Sequence, residues 1–130
     1  MGLSTFEEVR SIVDVEDITS DFGTSPYTFW PPESVPSRLD SLSLCTDDTT
    51  DVLLAFYIQV ASGPHCLVNT VKVPAGSGTD GVLPAIEAVP LLFPQTSGFV
   101  GTEHIGLSVV PLSLVTVDKH CWLVALGGQV

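Results

Sequence analysis

The sequence predicts an all-β fold, an antiparallel β-sandwich of jelly-roll type carrying an extended N-terminal arm. Three observations lead there. From residue 39 onward, short runs rich in Val, Leu, Ile and Phe are separated by Gly, Pro, Asp and Ser at intervals of roughly 8 to 12 residues. Prolines at 84, 90 and 94 exclude a long helix from the only other extended stretch of that region. The first 39 residues differ in character: they are acidic, hold few apolar runs, and contain Pro26, Pro31, Pro32 and Pro36.

The expected division is therefore an arm over residues 1–39 and a sandwich domain over residues 40–130. Within the arm, Ser4 and Glu7 have the spacing of a capping box, which predicts a helix of about two turns carrying Phe6, Val9 and Val13. Tyr27, Phe29 and Trp30 stand among prolines, which predicts an extended segment laid on another surface. Phe6, Tyr27, Phe29 and Trp30 are accordingly the expected partner-binding anchors.

The strands follow in order. Residues 39–45 interleave Leu with polar side chains, and residues 52–61 are apolar nearly throughout, the pattern of a strand buried on both faces. The turn Ser62-Gly63-Pro64 leads into a strand over 66–73. A glycine-rich loop follows at 74–81, then one helical turn is expected at 85–88, confined by Pro84 and Pro90. Strands over 105–110, 112–117 and 120–126 complete the set, punctuated by Pro111 and Asp118-Lys119 and ended by Gly127-Gly128.

Composition bounds the function. A chain of 130 residues is the size of one domain with one core. Its residues are 45% hydrophobic and only 15% charged, against about 25% charged in an average domain, so apolar surface must be exposed or hidden against other chains. An oligomer is expected. The net charge of −11 repels nucleic-acid phosphates and anionic lipid headgroups, which argues against both as partners. Residues 1–51 carry −9 of that charge and residues 52–130 only −2. The start MGLSTFEEVR lacks the basic and apolar regions of a secretory signal, and the apolar run at 52–58 is too short for a bilayer. The expectation is a chain made in a cytoplasm, with Cys45, Cys66 and Cys121 as free, mostly buried thiols.

Candidate chemistry is sparse. Residues 76–81 lack the Lys of a phosphate-binding P-loop and read as a turn. His65, His104 and His120, near Cys66, Glu103 and Cys121, would make a metal site or a Cys-His pair only if the fold brought them together, and no His-x-His of the cupin type occurs. Asp47, Asp48 and Asp51 offer carboxylates for Ca²⁺, but the segment lacks the Gly and terminal Glu of an EF-hand and serves equally as a hairpin turn. No Ser sits in Gly-x-Ser-x-Gly. No catalytic residue, metal ligand or cofactor is therefore assigned, and an enzyme is not expected.

The segment Val71-Lys72-Val73-Pro74-Ala75-Gly76-Ser77-Gly78-Thr79-Asp80-Gly81-Val82-Leu83-Pro84-Ala85 resembles a V-P-A-G-x-G-T-x-G-x-x-P-A stretch of small β-rich virion proteins of tailed bacteriophages. Residues 115–128 are similar to the last strand pair of those proteins, and the likeness covers about the last 60 residues. It implies a capsid decoration or cement protein located in the virion, binding the major capsid protein or another virion protein and assembling as a homo-oligomer, a trimer being favoured. Two alternatives stand beside it. One is a tail, receptor- or carbohydrate-binding module, which Tyr27, Trp30 or Trp122 lining a groove would favour. The other is a small metal-dependent enzyme, which requires the three histidines to converge.

Overall fold

The computed structural model describes residues 11–33, 35–95 and 98–130. It is all-β, with two antiparallel sheets sharing one core in a sandwich-like arrangement. The strands are β1 (Ser11–Ile18), β2 (Tyr27–Trp30), β3 (Ser37–Thr46), β4 (Val52–Val60), β5 (His65–Val73), β6 (Ile86–Glu87), β7 (Phe99–Gly101), β8 (Ile105–Pro111) and β9 (Cys121–Gln129), with one helical turn, α1 (Val89–Leu92), after β6. One sheet has the order β1-β9-β3-β6, with β7 also on β3, and the other the order β2-β8-β4-β5. Strands distant in sequence are thus paired around nearer ones: β1 with β9, β2 with β8, β3 with β6, and β4 with β5.

The N-terminal segment corrects the expected arm. Residues 11–18 alternate strictly between two faces, and β1 forms a full antiparallel ladder with β9 from Ser11↔Gly128 to Ile18↔Cys121. Val13, expected on a helix, lies in this strand; Ser4, Phe6, Glu7 and Val9 lie outside the described residues. Prolines do not keep the segment out of the sheets because β1 and β2 both take end positions, and the prolines fall in the connections beside them. The boundary at residue 39 falls inside β3. Phe29 and Trp30 are not partner anchors, since both are buried in the chain's own core.

Two adjacent residues of a regular strand point to opposite faces. Phe29 and Trp30 both point inward because Thr28 pairs with Ser108 and Trp30 with Leu107, leaving Phe29 as an extra residue, a bulge that re-aims the strand. Phe29 then meets Phe56 edge to face at 6.2 Å, and the Trp30 Nε1 donates to the Ser37 carbonyl at 3.1 Å, tying the second sheet to the first. The indole lies so close to β9 that a Cβ at Gly127 would stand 2.8 Å from its Cζ2 and collide with the Arg38 carbonyl oxygen. A second bulge leaves Asp40 extra between Leu39↔Gly127 and Ser41↔Leu126, so that Leu39, Leu42 and Leu44 all reach the core despite their uneven spacing.

Other elements depart from expectation in specific ways. Residues 112–117 form no strand: the pairing of β8 ends at Pro111, and Leu112, Leu114 and Val117 are exposed. The helical turn lies at Val89–Leu92 and not at 85–88, because Pro90 sits in its first turn, where no N–H is needed. β9 runs through Gly127 and Gly128 to Gln129. β4 is buried on both faces only in part: on the face opposite the inward Val52, Leu54 and Phe56, Ala55 is buried but Leu53 is exposed.

A chain starting at Leu39 lacks β1, β2 and Trp30, so circular dichroism and thermal melting should show no cooperative unfolding. Trp30→Ala in the full chain should cost roughly 3–5 kcal/mol in denaturant titration. Gly127→Ala should be as damaging, since its Cβ would displace the backbone of β3.

Candidate interaction surface

The outer face of the β1-β9-β3 sheet carries an apolar strip. Cross-strand partners share a face, so Val13, Leu126 and Ser41 form one row, Val15, Val124 and Ser43 the next, and Asp17, Trp122 and Cys45 the third. Val13 is 62% exposed, Val15 56% and Leu126 40%. Exposed β-branched side chains at two successive rows of one sheet are contact material for a second surface. The strip ends at His120, whose ring stacks on Trp122 at 5.1 Å and whose Nδ1 lies 2.8 Å from Oδ1 of Asp17. Its sequence signal was the period-two string Ile12-Val13-Asp14-Val15-Glu16-Asp17-Ile18, which the acidity of the segment obscured.

The aromatic candidates do not line one groove. Trp30 is in the core, Trp122 is on the outer face with one ring face against His120, and Tyr27 packs edge-on against Phe22 on the other flank. Tyr27 alone of the named anchors within the described residues is exposed, at 47%.

The histidines are held apart by the length of β4. His65 pairs with Gln59 and the His104 carbonyl accepts from Ala61 N–H, both at the Val60 end, whereas His120 N–H donates to Asp47 just before Val52. Eight residue steps of strand separate those ends, about 26 Å. One ion cannot be shared by all three. A shallow cleft of 350 Å³ beside His104 is lined by Thr28, Pro31, Gln59 and Gly106 and does not include His65.

The acidic turn is a knot of backbone acceptors. Asp48, 1% exposed, accepts through Oδ1 from Thr50 N–H at 3.1 Å and from Thr116 Oγ1 at 2.8 Å, and through Oδ2 from Thr116 N–H at 2.8 Å. Asp47 accepts from His120 N–H and Asp51 from Ala75 N–H. Asp47 and Asp48 are taken up by the segment 112–120 and Asp51 by the glycine-rich loop, and no group of three metal-ligating side chains occurs among the described residues. Burial opposes ionisation of Asp48, but the bonds from Thr116 and Thr50 outweigh it and hold the carboxyl at about 2.

The glycine-rich loop packs against this knot. Gly76 N–H donates to the Asp48 carbonyl, and the amides of Ser77, Gly78, Thr79 and Asp80 all donate within residues 74–83, so they do not converge on an anion. Gly78, at φ +78°, packs where a Cβ would meet that of Cys45 at 2.6 Å.

Of the thiols, Cys121 is buried, Cys45 half-buried and Cys66 exposed, and all are free. The exposed position of Cys66 departs from the expectation of mostly buried thiols, because β5 is the end strand of its sheet. Burial, with smaller contributions from Cys45 and the nearby carboxylates, pushes Cys121 up to about 12. No family model matches the chain, and neither a curated protein nor a solved structure shows significant similarity to it.

Asp48→Ala strands the Thr116 and Thr50 donors and should cost roughly 2–4 kcal/mol in chemical denaturation. Because its folded pKa lies below the unfolded 3.8, the stability from Asp48 is present above pH 3.8 and lost as pH falls toward 2. Acid titration of wild type and variant should converge there. In native alkylation followed by mass spectrometry, Cys66 should react first and Cys121 only after unfolding.

Proposed function

We propose that this chain is a structural component of a tailed-bacteriophage virion, a capsid decoration or cement protein that binds across subunits of the major capsid protein as an oligomer, with a trimer favoured. The observation that carries the reading is the strand nesting. With the three-residue β7 set aside, eight strands pair outermost with outermost, as a long hairpin does when it rolls into two sheets, which supports a jelly roll. Jelly rolls serve viral capsids, lectins and cupins, so the choice among these rests on the site.

Cupin chemistry uses a ligand-lined interior, whereas the space between these sheets is filled by Trp30, Phe29, Phe56 and a shell of Leu and Val. Sugar recognition uses exposed aromatic platforms, and the three candidate rings lie on separate faces. The apolar outer strip, by contrast, suits a contact between protein subunits, with few charges to desolvate. The glycine-rich loop, similar to that of phage virion proteins, gives the role its particular class.

Two measurements test this reading. Virions purified from the source should contain the chain in many copies by mass spectrometry, and its absence from intact particles would overturn the virion role. At tens of micromolar, light scattering should give a multiple of 13.7 kDa, and Val13→Lys with Val15→Lys should reduce it to the monomer without lowering the melting cooperativity. A monodisperse wild-type monomer counts against the oligomer.

A further inference from the structure

Strand β1 places carboxyl groups where a half-buried strand ordinarily carries apolar side chains. On its core-facing side Ile12, Asp14, Glu16 and Ile18 follow at two-residue spacing, opposite Gly127, Ala125, Leu123 and Cys121 of β9. Two-residue spacing on one face sets Asp14 and Glu16 about 7 Å apart along the strand, both half-buried on the side that faces the core. Two carboxyls brought together there can join only through a proton, since an ionised carboxylate only accepts. Oδ2 of Asp14 is buried with no hydrogen-bond partner.

The surroundings supply no compensating cation among the described residues. β9 contributes Leu123 and Ala125 beside the pair, and its one titratable inward group, Cys121, faces Ile18. From β2 the facing titratable group is Tyr27, whose phenol is pushed up chiefly by the charge of Glu16. Asp17 lies on the opposite face of β1 and engages His120.

We propose that Asp14 and Glu16 form a proton-sharing latch: with one proton between them β1 stays on β9, and when that proton leaves, two crowded carboxylates loosen β1 while the rest of the core stays folded. The position of β1 permits a local release, because it is an end strand whose ladder is with β9 alone among the described strands. Burial first, then the side-chain interaction with Asp14 and its charge, push Glu16 up from 4.5 to about 7. The folded chain therefore holds more protons than the unfolded one between those values, and the contribution of β1 is full below pH 4.5 and declines as pH rises to about 7. Val13 and Val15 ride on the same strand, so the latch also governs half of the outer apolar strip.

Hydrogen exchange of the full chain, followed by mass spectrometry at pH 5.5 and 8.5 and corrected for intrinsic rates, tests the latch. Protection over residues 12–17 should fall roughly tenfold or more at the higher pH while β3 and β4 keep theirs. Glu16→Gln keeps a hydrogen-bond donor for Asp14 and should hold β1 protected at both pH values. Unchanged wild-type protection, equal loss in β3 and β4, or a Glu16→Gln chain that opens in parallel with wild type would each overturn the proposal. If that variant does not fold, carbon-13 titration of the wild-type Glu16 carboxyl decides: a midpoint near 7 supports the latch and one in the ordinary range of 4 to 5 refutes it.

Discussion

Burial of the Trp30 indole between the sheets is the constraint around which the rest of the packing is arranged. The ring needs room, and Gly127 on β9 and Gly101 on β7 leave it, since a Cβ at either would come within 2.8 or 3.2 Å of the indole. It needs an acceptor for its N–H, and the Ser37 carbonyl at the start of β3 supplies one. It needs to face inward beside Phe29, and the bulge in β2 arranges that. Strands from both sheets are therefore shaped to one side chain. The first third of the chain is consequently inseparable from the core it was expected only to decorate.

The acidity of the chain has a similar double character. Asp47, Asp48, Asp51, Asp80 and Glu87 each accept from at least one backbone N–H; the four aspartates anchor loops that have no sheet ladder of their own, and Glu87 ties β6 to β3. Five of the fifteen acids are thus structural acceptors, and they keep their charge, since a hydrogen bond from a neutral N–H favours the ionised form. Asp14 and Glu16 represent the opposite case. Their carboxyls sit on the core-facing side of β1, where burial and the neighbouring Asp14 push Glu16 up.

Much of the strand pattern was legible from residue 39 onward, because β3, β4, β5, β8 and β9 combine β-branched or leucine-rich runs with Gly and Pro boundaries. The errors have physical causes. Prolines near Tyr27 and Trp30 signalled an arm, yet a proline-bounded strand is at home at a sheet end. Residues 112–117 look like a strand, yet they serve a loop in which Val115 is buried and Thr116 binds Asp48. The outer strip was hidden because Val13 and Val15 belong to β1 while Val124 and Leu126 belong to β9, and only the register unites them. Single-strand periodicity cannot supply a register between distant segments.

The pairing of β1 with β9 also governs when the molecule can assemble. β9 lies between β1 and β3, and is the last of the described strands to be synthesised. A nascent chain that has made eight strands has no central strand for its larger sheet, and its core-facing residues on β1 and β3 lack the neighbour that joins them. Hairpin β4-β5 can form early, because its partners are local. The larger sheet must wait for contacts spanning nearly the whole sequence, the kind whose loop-closure entropy slows folding. Vectorial synthesis therefore holds this chain open until β9 emerges, and the core-facing apolar residues of β1 and β3 are the surface a chaperone would meet first.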